Sequence, residues 1–473
     1  MKAFLLPHSV VLIAMICSTL QAQPAADESA GVKVEVVRTE SGWQLLRGGE
    51  RYFVNGVGGS QNMELLAAVG GNSIRTWGVD ENTIKVLDRA HALGLTVTVG
   101  IWMEARSQGG DYSNPELREK QLERIRTWVP KLKDHPALLI WGIGNESEVR
   151  NNVPEYWQHL NEMARLCKEL DPNHPTMHVT AEAGGGEGYG ARLREFAPEI
   201  DIWGINSYQG MFSLRQRLER QGYDGPYLVC EFGATGPWEA PRTEWGAPIE
   251  QSSTEKAAQF ARLYREQVDD NPNILGTYAF HWVQRPNPSH TWFSLLRPDG
   301  SPLAVVDTLQ RQWTGQWPDD LGPYVLGIES DMVRKVVQPD TEFTARVNAF
   351  DPEGKPLRVQ WMLRLDRNNR TWPKGAPMTD ADMDALILEA SGHTVRFRAP
   401  PVQDRYRLLV FVTDPAGKVG TASEPFFVAT DGVLPDSERP RPPTTQPQAP
   451  LTHENQLDPR SARPSSRRPG RSG

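Results

Sequence analysis

Short apolar segments rich in β-branched and aromatic residues recur between residues 50 and 318, with helical patterns between them. There are eight: YFVNGV (52–57), NSIRTW (72–77), LTVTVGIW (95–102), LLIWGIG (138–144), TMHVTA (176–181), DIWGINSY (201–208), PYLVCEF (226–232) and ILGTYAFHW (274–282). Near-continuous apolar strands that alternate with helices are typical of a parallel sheet covered on both faces. Eight strands in a span close to the roughly 250 residues of this fold predict an α/β protein built on a (β/α)8 TIM barrel.

Four of the intervening helical patterns are clear, because their apolar residues recur three or four positions apart. They are TIKVLDRAHALG (83–94), REKQLERIRTWVPKLKD (118–134), PEYWQHLNEMARLCKELD (154–171) and STEKAAQFARLYREQV (253–268). A doubly wound open sheet would give the same alternation, but its dinucleotide-binding form carries G-x-G-x-x-G after the first strand. GVGGSQ (56–61) lacks the third glycine of that pattern, so the barrel is favoured.

Residues 319–430 change character. EFTARVNAF (342–350), LRVQWMLRL (357–365), HTVRFRAP (393–400) and YRLLVFVTD (406–414) alternate apolar and polar positions between turn sequences. This pattern predicts a small antiparallel β-sandwich of the immunoglobulin-like kind. Residues 431–473 are rich in Pro, Arg and Ser, a composition that cannot bury a core, so we expect a disordered tail.

The N-terminus reads as a secretory signal peptide over residues 1–22. Lys2 precedes the apolar stretch FLLPHSVVLIAMI, and LQA, ending at Ala22, is a small-residue cleavage site. The apolar stretch is short for a membrane span, and no later segment is long and apolar enough to be one. We therefore expect a secreted or periplasmic protein, with a strand or hairpin extension over residues 23–49 before the barrel.

The net charge of the chain bears on the kind of partner that it can bind. A net charge of −8 and a pI near 5.8 give no electrostatic case for binding nucleic acid.

Of the three cysteines, Cys17 precedes the expected cleavage site. A disulfide is permitted in an exported protein. However, Cys167 lies in a helical pattern and Cys230 in a strand, so two buried free thiols are expected instead.

The chemistry should lie where the strands end, because active sites of such barrels are built at the C-terminal ends of their strands. Glu146 follows the fourth strand and Glu231 ends the seventh, each after an apolar run. Either carboxylate alone could be an ordinary solvated strand end. The fourth and seventh strands face each other across a barrel, however, so the two can converge. Two carboxyl groups about 5–5.5 Å apart are what retaining glycoside cleavage requires.

The sequence around these residues resembles glycoside hydrolase family 2, the β-galactosidase and β-glucuronidase family of clan A. KDHPALLIWGIGNESE (133–148) is similar to its acid/base segment, and GPYLVCEFGA (225–234) to its nucleophile strand. Weaker likenesses are GGNSIRTWG (70–78) to its second strand, INSY (205–208) to its sixth and AFHW (279–282) to its eighth. The resemblance covers about residues 50–315 and does not fix a family within the clan.

The resemblance implies a role for each matching residue. Glu231 would be the nucleophile and Glu146 the acid/base, with a drier pocket keeping Glu146 protonated. Asn145 would bind the sugar 2-hydroxyl, while Arg75 and Tyr208 would donate to Glu231 and stabilise its charge. Trp282 would stack beneath the sugar. Further candidate substrate-binding residues at the mouth are Trp77, Trp102 and Trp238, with Trp245 as another possible platform.

Some alternatives stay open. Glu148 is a second candidate acid, whereas Glu104 and Glu182 are candidate substrate contacts or solvated rim residues. No cofactor motif or dense ligand cluster is present, so we expect neither cofactor nor metal. The N-terminal domains usual in family 2 do not precede this barrel, so an oligo- or polysaccharide suits its cleft better than a small galactoside or glucuronide. A transglycosidase would use the same residues, and a non-catalytic carbohydrate-binding protein is the alternative from a different class.

Overall fold

The computed structural model describes residues 31–185, 188–283, 289, 291–366 and 378–440. The expected signal peptide and residues 441–473 of the expected tail lie outside this range. Within it, eight parallel strands close into a barrel in which the first strand pairs with the eighth, Val54 lying opposite Gly276. The predicted (β/α)8 barrel is therefore confirmed.

The barrel strands lie within three residues of their predicted bounds. They are β4 (Val54–Gly58), β5 (Ser73–Arg75), β6 (Thr96–Ile101), β7 (Leu138–Asn145), β8 (Thr176–Ala181), β9 (Ile202–Asn206), β10 (Tyr227–Phe232) and β11 (Ile274–Ala279). Nearly every residue in them is buried, since the interior and the helical layer cover both faces.

Over the described part of the barrel region, eight α-helices accompany the strands: α1 (Met63–Ala68), α2 (Thr83–Ala92), α3 (Pro115–Leu132), α4 (Pro154–Leu170), α5 (Gly188–Phe196), α6 (Leu214–Arg220), α7 (Ser253–Leu263) and α8 (Val305–Thr314). The start of α7 is fixed by a capping box, in which Ser252 Oγ accepts from the Glu255 amide and Glu255 Oε2 accepts from the Ser252 amide. This helix lies on the side of the barrel that meets the following β-domain.

A three-stranded antiparallel sheet precedes the barrel: β1 (Val34–Thr39), β2 (Gly42–Arg47) and β3 (Glu50–Tyr52). Its apolar residues, including Val34 and Leu45, pack with interior barrel residues such as Ile140 and Leu228. The sheet also bonds to loops at the N-terminal end of the barrel, where the Val34 amide donates to the Asn173 carbonyl. It therefore closes the end of the barrel opposite the expected site.

Two four-stranded sheets follow, with one shared apolar core. Their strands are β12 (Tyr324–Glu329), β13 (Val336–Val337), β14 (Glu342–Phe350), β15 (Arg358–Leu365), β16 (Ile387–Ser391), β17 (Thr394–Arg398), β18 (Asp404–Thr413) and β19 (Val419–Val428). One sheet has the order β12-β14-β17-β16 and the other β13-β19-β18-β15. A single turn of helix, α9 (Asp380–Asp384), precedes β16.

This β-domain packs directly on the barrel. Leu303, before α8, is buried against Leu409 and Phe411 of the β-domain. Trp245, in the loop after β10, is buried with Leu434, which comes from the start of the segment assigned to the tail. The two parts of the chain thus share apolar contacts at two places.

Two further sequence predictions can be compared with the described residues. Cys167 and Cys230 are both buried and free, as predicted. None of the helices described is long and apolar enough to cross a bilayer.

Candidate active site

Polar side chains are gathered at the C-terminal ends of four barrel strands. Arg75 ends β5, Asn145 ends β7, Asn206 ends β9 and Glu231 is the penultimate residue of β10. All four are nearly inaccessible to solvent, as is Glu146, which follows β7. Polar groups are buried in this way only when they are paired, so their hydrogen bonds define the site.

Local irregularities in strand pairing accompany two of these side chains. Trp141 and Ile143 in β7, and Val229 in β10, belong to the outer core between strands and helices. Strict alternation would send Asn145 and Glu231 to that same face. The pairing register shifts between Gly142 and Asn145 and between Val229 and Glu231. Such shifts re-aim side chains, and here they accompany the turn of Asn145 and Glu231 towards the mouth.

Glu231 accepts hydrogen bonds from three side chains. Trp77 Nε1 lies 3.0 Å and Arg75 Nη1 3.4 Å from Oε1, while the Tyr208 hydroxyl lies 2.9 Å from Oε2. A buried carboxylate needs such donors, because leaving its charge unpaired would cost several kcal/mol. The arrangement holds Glu231 in one orientation. Trp77, predicted to bind substrate, also donates directly to this carboxylate.

Asn145 is fixed through its amide oxygen, which accepts from Arg75 Nη2 at 2.5 Å and from Asn206 Nδ2 at 3.1 Å. Its Nδ2 is buried and has no partner among the described residues. An unpaired buried donor costs about 1–3 kcal/mol. This side-chain N–H group is therefore available to donate a hydrogen bond to a ligand in the site.

Glu146 shares the Asn206 amide, whose Nδ2 donates to Glu146 Oε1 at 2.7 Å. Its backbone φ of 50° lies in the left-handed region, where non-glycine residues are uncommon and carry strain. The Glu146 amide is held by the Val179 carbonyl of β8 at 2.8 Å. Arg75 binds Glu231 and Asn206 binds Glu146, and both donate to Asn145 Oδ1. Together they connect the surroundings of Glu146 to those of Glu231.

Glu148, the second candidate acid, is fully buried behind Glu146. The Ala181 amide donates to its Oε1 at 2.8 Å, while Oε2 has no partner among the described residues. Burial raises the pKa of Glu148 to about 8, and the nearby charge of Glu146 adds to that shift. At neutral pH it is therefore mainly protonated.

The rest of this buried layer is uncharged. His178 lies against the Ile143 carbonyl through Nδ1, and its Nε2 is 3.1 Å from the Tyr156 hydroxyl. Burial lowers the pKa of His178 to about 4, so its ring is neutral at pH 7. Of the described residues buried beneath Glu146, Glu148 is therefore mainly uncharged and His178 uncharged at neutral pH.

The other acidic candidates are held by cations near the rim. Arg124 Nη2 lies 3.4 Å from Glu104, and Arg217 Nη2 lies 2.6 Å from Glu182. Both carboxylates are partly exposed and already paired, which fits rim residues. Within the described ranges, no cluster of three or more His, Cys, Asp or Glu could hold a metal ion.

Trp282 is not placed as predicted. Its ring is fully buried in the outer core, and its Nε1 lies 3.4 Å from the Asn62 carbonyl just before α1. Because β11 ends at Ala279, the chain has turned before it reaches Trp282. The prediction that this ring stacks beneath a sugar is wrong. Trp245 is likewise buried, against Phe427 of the β-domain, and is no sugar platform.

Other aromatic side chains surround the mouth. Tyr208 is packed edge-on against Trp238, with ring centroids 5.3 Å apart, and Phe293 lies 5.2 Å from Tyr208. Trp77 stacks on His281 at 5.5 Å. Trp77, Trp102 and Trp238 each keep part of their surface accessible, so they remain able to contact a ligand.

Sequence reasoning missed one central residue, Asn206. Its signal was present, since it is a polar residue at the end of the sixth barrel strand, directly opposite Glu231 in the β9–β10 register. The strand-end reasoning that selected Glu146 would also have selected Asn206.

Residues 66–238 match the model of a known family, described as "Glycosyl hydrolases family 2, TIM barrel domain". Residues 66–238 are thus similar to the barrel domain of this family. The match spans β5 to β10 and so includes Arg75, Glu146, Tyr208 and Glu231. Strand β11 and the β-domain lie beyond it.

Curated family 2 relatives are similar over part of their length. A β-glucuronidase from Sus scrofa is 25% identical over 190 residues, which are 37% of this chain and 27% of the relative. A β-galactosidase, BgaC, from Bifidobacterium adolescentis is 26% identical over 149 residues, which are 28% of this chain and 12% of the relative. The chain thus covers at most 27% of the length of these two relatives.

Among solved structures, a family 2 β-galacturonidase from Eisenbergiella tayi, bound to galacturonate, superposes with a TM-score of 0.48 at 16% identity. The superposition covers 60% of this chain and 54% of that chain.

Proposed function

We propose that this protein is a retaining β-glycosidase that cleaves O-glycosidic bonds by double displacement. The observation that carries the proposal is the environment of Glu231, a buried carboxylate held by three donors and connected through Arg75 and Asn206 to Glu146. The family 2 match over β5 to β10 supports the same reaction class.

In the first step, ionised Glu231 attacks the anomeric carbon while Glu146 donates its proton to the glycosidic oxygen. The bond from the anomeric carbon to that oxygen breaks, and a covalent glycosyl ester with Glu231 forms. Arg75, Trp77 and Tyr208 hold the attacking carboxylate in place, which lowers the entropic part of the barrier.

In the second step, Glu146 is a carboxylate and takes a proton from water. That water attacks the anomeric carbon, the ester bond to Glu231 breaks, and the sugar leaves with its original anomeric configuration. A sugar hydroxyl in place of the water would give transglycosylation with the same residues.

Asn145 is the residue assigned to the sugar 2-hydroxyl, because its buried Nδ2 has no protein partner among the described residues. A hydrogen bond to this hydroxyl strengthens as positive charge develops on the sugar ring, so it favours the transition state. Its carbonyl oxygen is fixed by Arg75 and Asn206, so the amide cannot rotate freely.

The substrate proposed is a β-linked oligo- or polysaccharide. The partly accessible rings of Trp77, Trp102 and Trp238 support this, since flat aromatic faces stack on the apolar faces of sugars. The relatives named β-glucuronidase and β-galactosidase match over too little of their length to transfer their sugars to this chain.

The test is product analysis by mass spectrometry on β-glucans, β-mannans and β-galactans. Wild type is compared with Glu231→Ala, Glu146→Ala and a matched rim variant, Glu104→Gln. We expect shortened chains from wild type and Glu104→Gln, and a loss of at least about 100-fold in both site variants. Full activity in Glu231→Ala would refute the assignment. Products longer than the substrate would identify transfer, and binding without turnover by wild type would identify a carbohydrate-binding protein.

We further propose that the chain is exported after cleavage near Ala22, on the strength of its N-terminal sequence. N-terminal sequencing of protein from the medium or periplasm should begin close to Gln23. An intact Met1 on the exported protein would contradict the proposal.

The C-terminal sandwich is proposed to be immunoglobulin-like. The sheet order β12-β14-β17-β16 corresponds to strands A, B, E and D of that fold, and β19-β18-β15 corresponds to strands G, F and C. Strand β13 pairs with β19 in parallel. The Tyr406 hydroxyl donates to the Val402 carbonyl four residues earlier, as in the tyrosine corner of that fold.

A further inference from the structure

A buried carboxylate, Glu250, lies where the barrel, the segment after β11 and the β-domain meet. Its Oε1 accepts from Lys256 Nζ at 2.6 Å and from Thr291 Oγ1 at 2.8 Å. Its Oε2 accepts from Ser289 Oγ at 2.5 Å and from Ser423 Oγ at 2.7 Å. Three parts of the chain that are far apart in sequence are thus joined by one side chain.

This carboxylate is ionised at neutral pH. Burial by itself would raise the pKa of Glu250, but the charges of Lys256 and Arg407 and the hydrogen bonds around it lower the pKa to about 2. Arg407 comes from β18 and also donates to the Pro248 carbonyl at 2.8 Å and to Asp366 at 3.0 Å. The β-domain therefore supplies part of the positive charge that keeps Glu250 ionised.

The segment held by Glu250 continues into the candidate active site. Lys256 Nζ also donates to the Thr291 carbonyl at 2.8 Å, so both the side chain and the backbone of Thr291 are anchored. The next residue, Trp292, donates through Nε1 to the Thr235 carbonyl at 2.9 Å. Phe293 then packs against Tyr208.

Tyr208 is one of the three donors to Glu231, at 2.9 Å. An anchor at Thr291 therefore acts on Glu231 through Phe293 and Tyr208, without touching the reacting atoms. Close-packed side chains transmit displacement, and a shift of about 1 Å at a reacting group can cost 100-fold in rate.

We propose that Glu250 is a positioning residue for Glu231, and that the β-domain takes part in catalysis by holding Glu250 through Ser423 and Arg407. The inference rests on the proposed glycosidase function. It makes the β-domain a structural part of the active site and not a separate binding module.

The test compares two serines at the same interface. Ser423→Ala removes a donor to Glu250. Ser253→Ala removes a buried hydroxyl that accepts from the Thr421 amide at 2.8 Å but does not contact Glu250. Glu250→Gln and Thr291→Val test the carboxylate and the anchored segment. All four are made in the full-length chain, and their folding is checked by thermal unfolding.

We expect Ser423→Ala and Thr291→Val to lower kcat for an aryl β-glycoside about fivefold or more, with KM changed less than twofold. Ser253→Ala should stay within twofold of wild type in both constants. A fall in kcat with KM nearly unchanged indicates a lost contribution to the transition state and not weaker binding of the substrate.

A second measurement separates this inference from the proposed function. Hydrogen exchange of the amides in residues 291–296 should be faster in Ser423→Ala and Glu250→Gln than in Ser253→Ala. An inactive wild type would refute the glycosidase, while the exchange rates would still decide whether Glu250 anchors the segment. If Ser423→Ala matches Ser253→Ala in exchange, or in kcat where wild type is active, the positioning role is overturned.

Discussion

Each donor to Glu231 comes from a different barrel element: Arg75 from β5, Trp77 from the loop after it, and Tyr208 from the loop after β9. Among the described residues, Tyr208 alone binds Oε2. Replacing Tyr208 by Phe should therefore leave Glu231 well packed but poorly oriented, since only one hydroxyl is lost.

We expect Tyr208→Phe to lower kcat/KM about 10–100-fold, because a hydrogen bond to a charged group is worth about 1.5–3 kcal/mol. Tyr227→Phe is the matched control. Tyr227 is a buried tyrosine at the opposite end of β10, where its hydroxyl accepts from Asn271 at 2.7 Å. Steady-state kinetics on an aryl glycoside would measure both. An equal loss in the two variants would contradict a specific contribution from Tyr208.

A second prediction at the scale of residues concerns Glu148 and the dependence of the free energy of unfolding on pH. Burial raises its folded-state pKa to about 8, whereas the unfolded chain releases the proton near the ordinary value. Between these two values the folded state binds more protons than the unfolded state, so the free energy of unfolding falls as pH rises. Below the ordinary value both states are protonated and the penalty disappears.

Glu148→Gln cannot ionise and should remove this dependence. From pH 5 to pH 8, wild type should lose at least about 1.4 kcal/mol more of its free energy of unfolding than Glu148→Gln, the equivalent of one pKa unit. Urea unfolding at the two pH values measures the difference. Identical losses in the two proteins would mean that Glu148 ionises normally in the folded state.

At the scale of elements, strand bounds followed from the sequence because apolar runs end where a strand leaves the core. The polar residues at those ends, Arg75, Asn145 and Glu231, were found by the same logic. The orientation of residues beyond a strand end was not predictable in this way. Two residues separate Ala279 from Trp282, and the path of the chain there depends on backbone contacts with Gly58 and Phe293.

The placement of Trp282 has a measurable consequence. Trp282→Phe should lower the free energy of unfolding by about 1–3 kcal/mol, since it removes buried ring volume from the outer core. It should leave KM unchanged, whereas Trp238→Phe, at the mouth, should alter KM with little loss of stability. Chemical unfolding and kinetics on the same two proteins would check this. A raised KM for Trp282→Phe alone would restore its role beneath the sugar.

At the scale of the whole molecule, the interface between barrel and β-domain joins two cores. Leu303 is buried against the β-domain, and Lys418 Nζ lies 2.6 Å from Asp307 Oδ1 of α8. None of these contacts could be predicted from the sequence. Each joins residues more than 100 positions apart, and no local sequence pattern specifies how the two elements are placed relative to each other.

A chain ending at residue 318 would expose Leu303 and leave Glu250 without Ser423 and Arg407. Its thermal midpoint should fall at least about 5 °C below that of the full chain, since each kcal/mol lost from a barrel of this size shifts the midpoint by about 2–4 °C. Differential scanning calorimetry of both chains would measure the shift. Equal midpoints would show that the barrel is thermally independent of the β-domain.

The sheet β1–β3 sets the order in which this chain can reach its native state. It is made before the barrel strands, yet its Val34 and Trp43 amides are bound by the carbonyls of Asn173 and Pro272. Barrel closure likewise joins β4 to β11. Contacts between such distant parts of a chain carry a large loop-closure entropy and slow the search for the native topology. The residues of this sheet must therefore wait, with their apolar faces uncovered, until the last barrel strand has been synthesised.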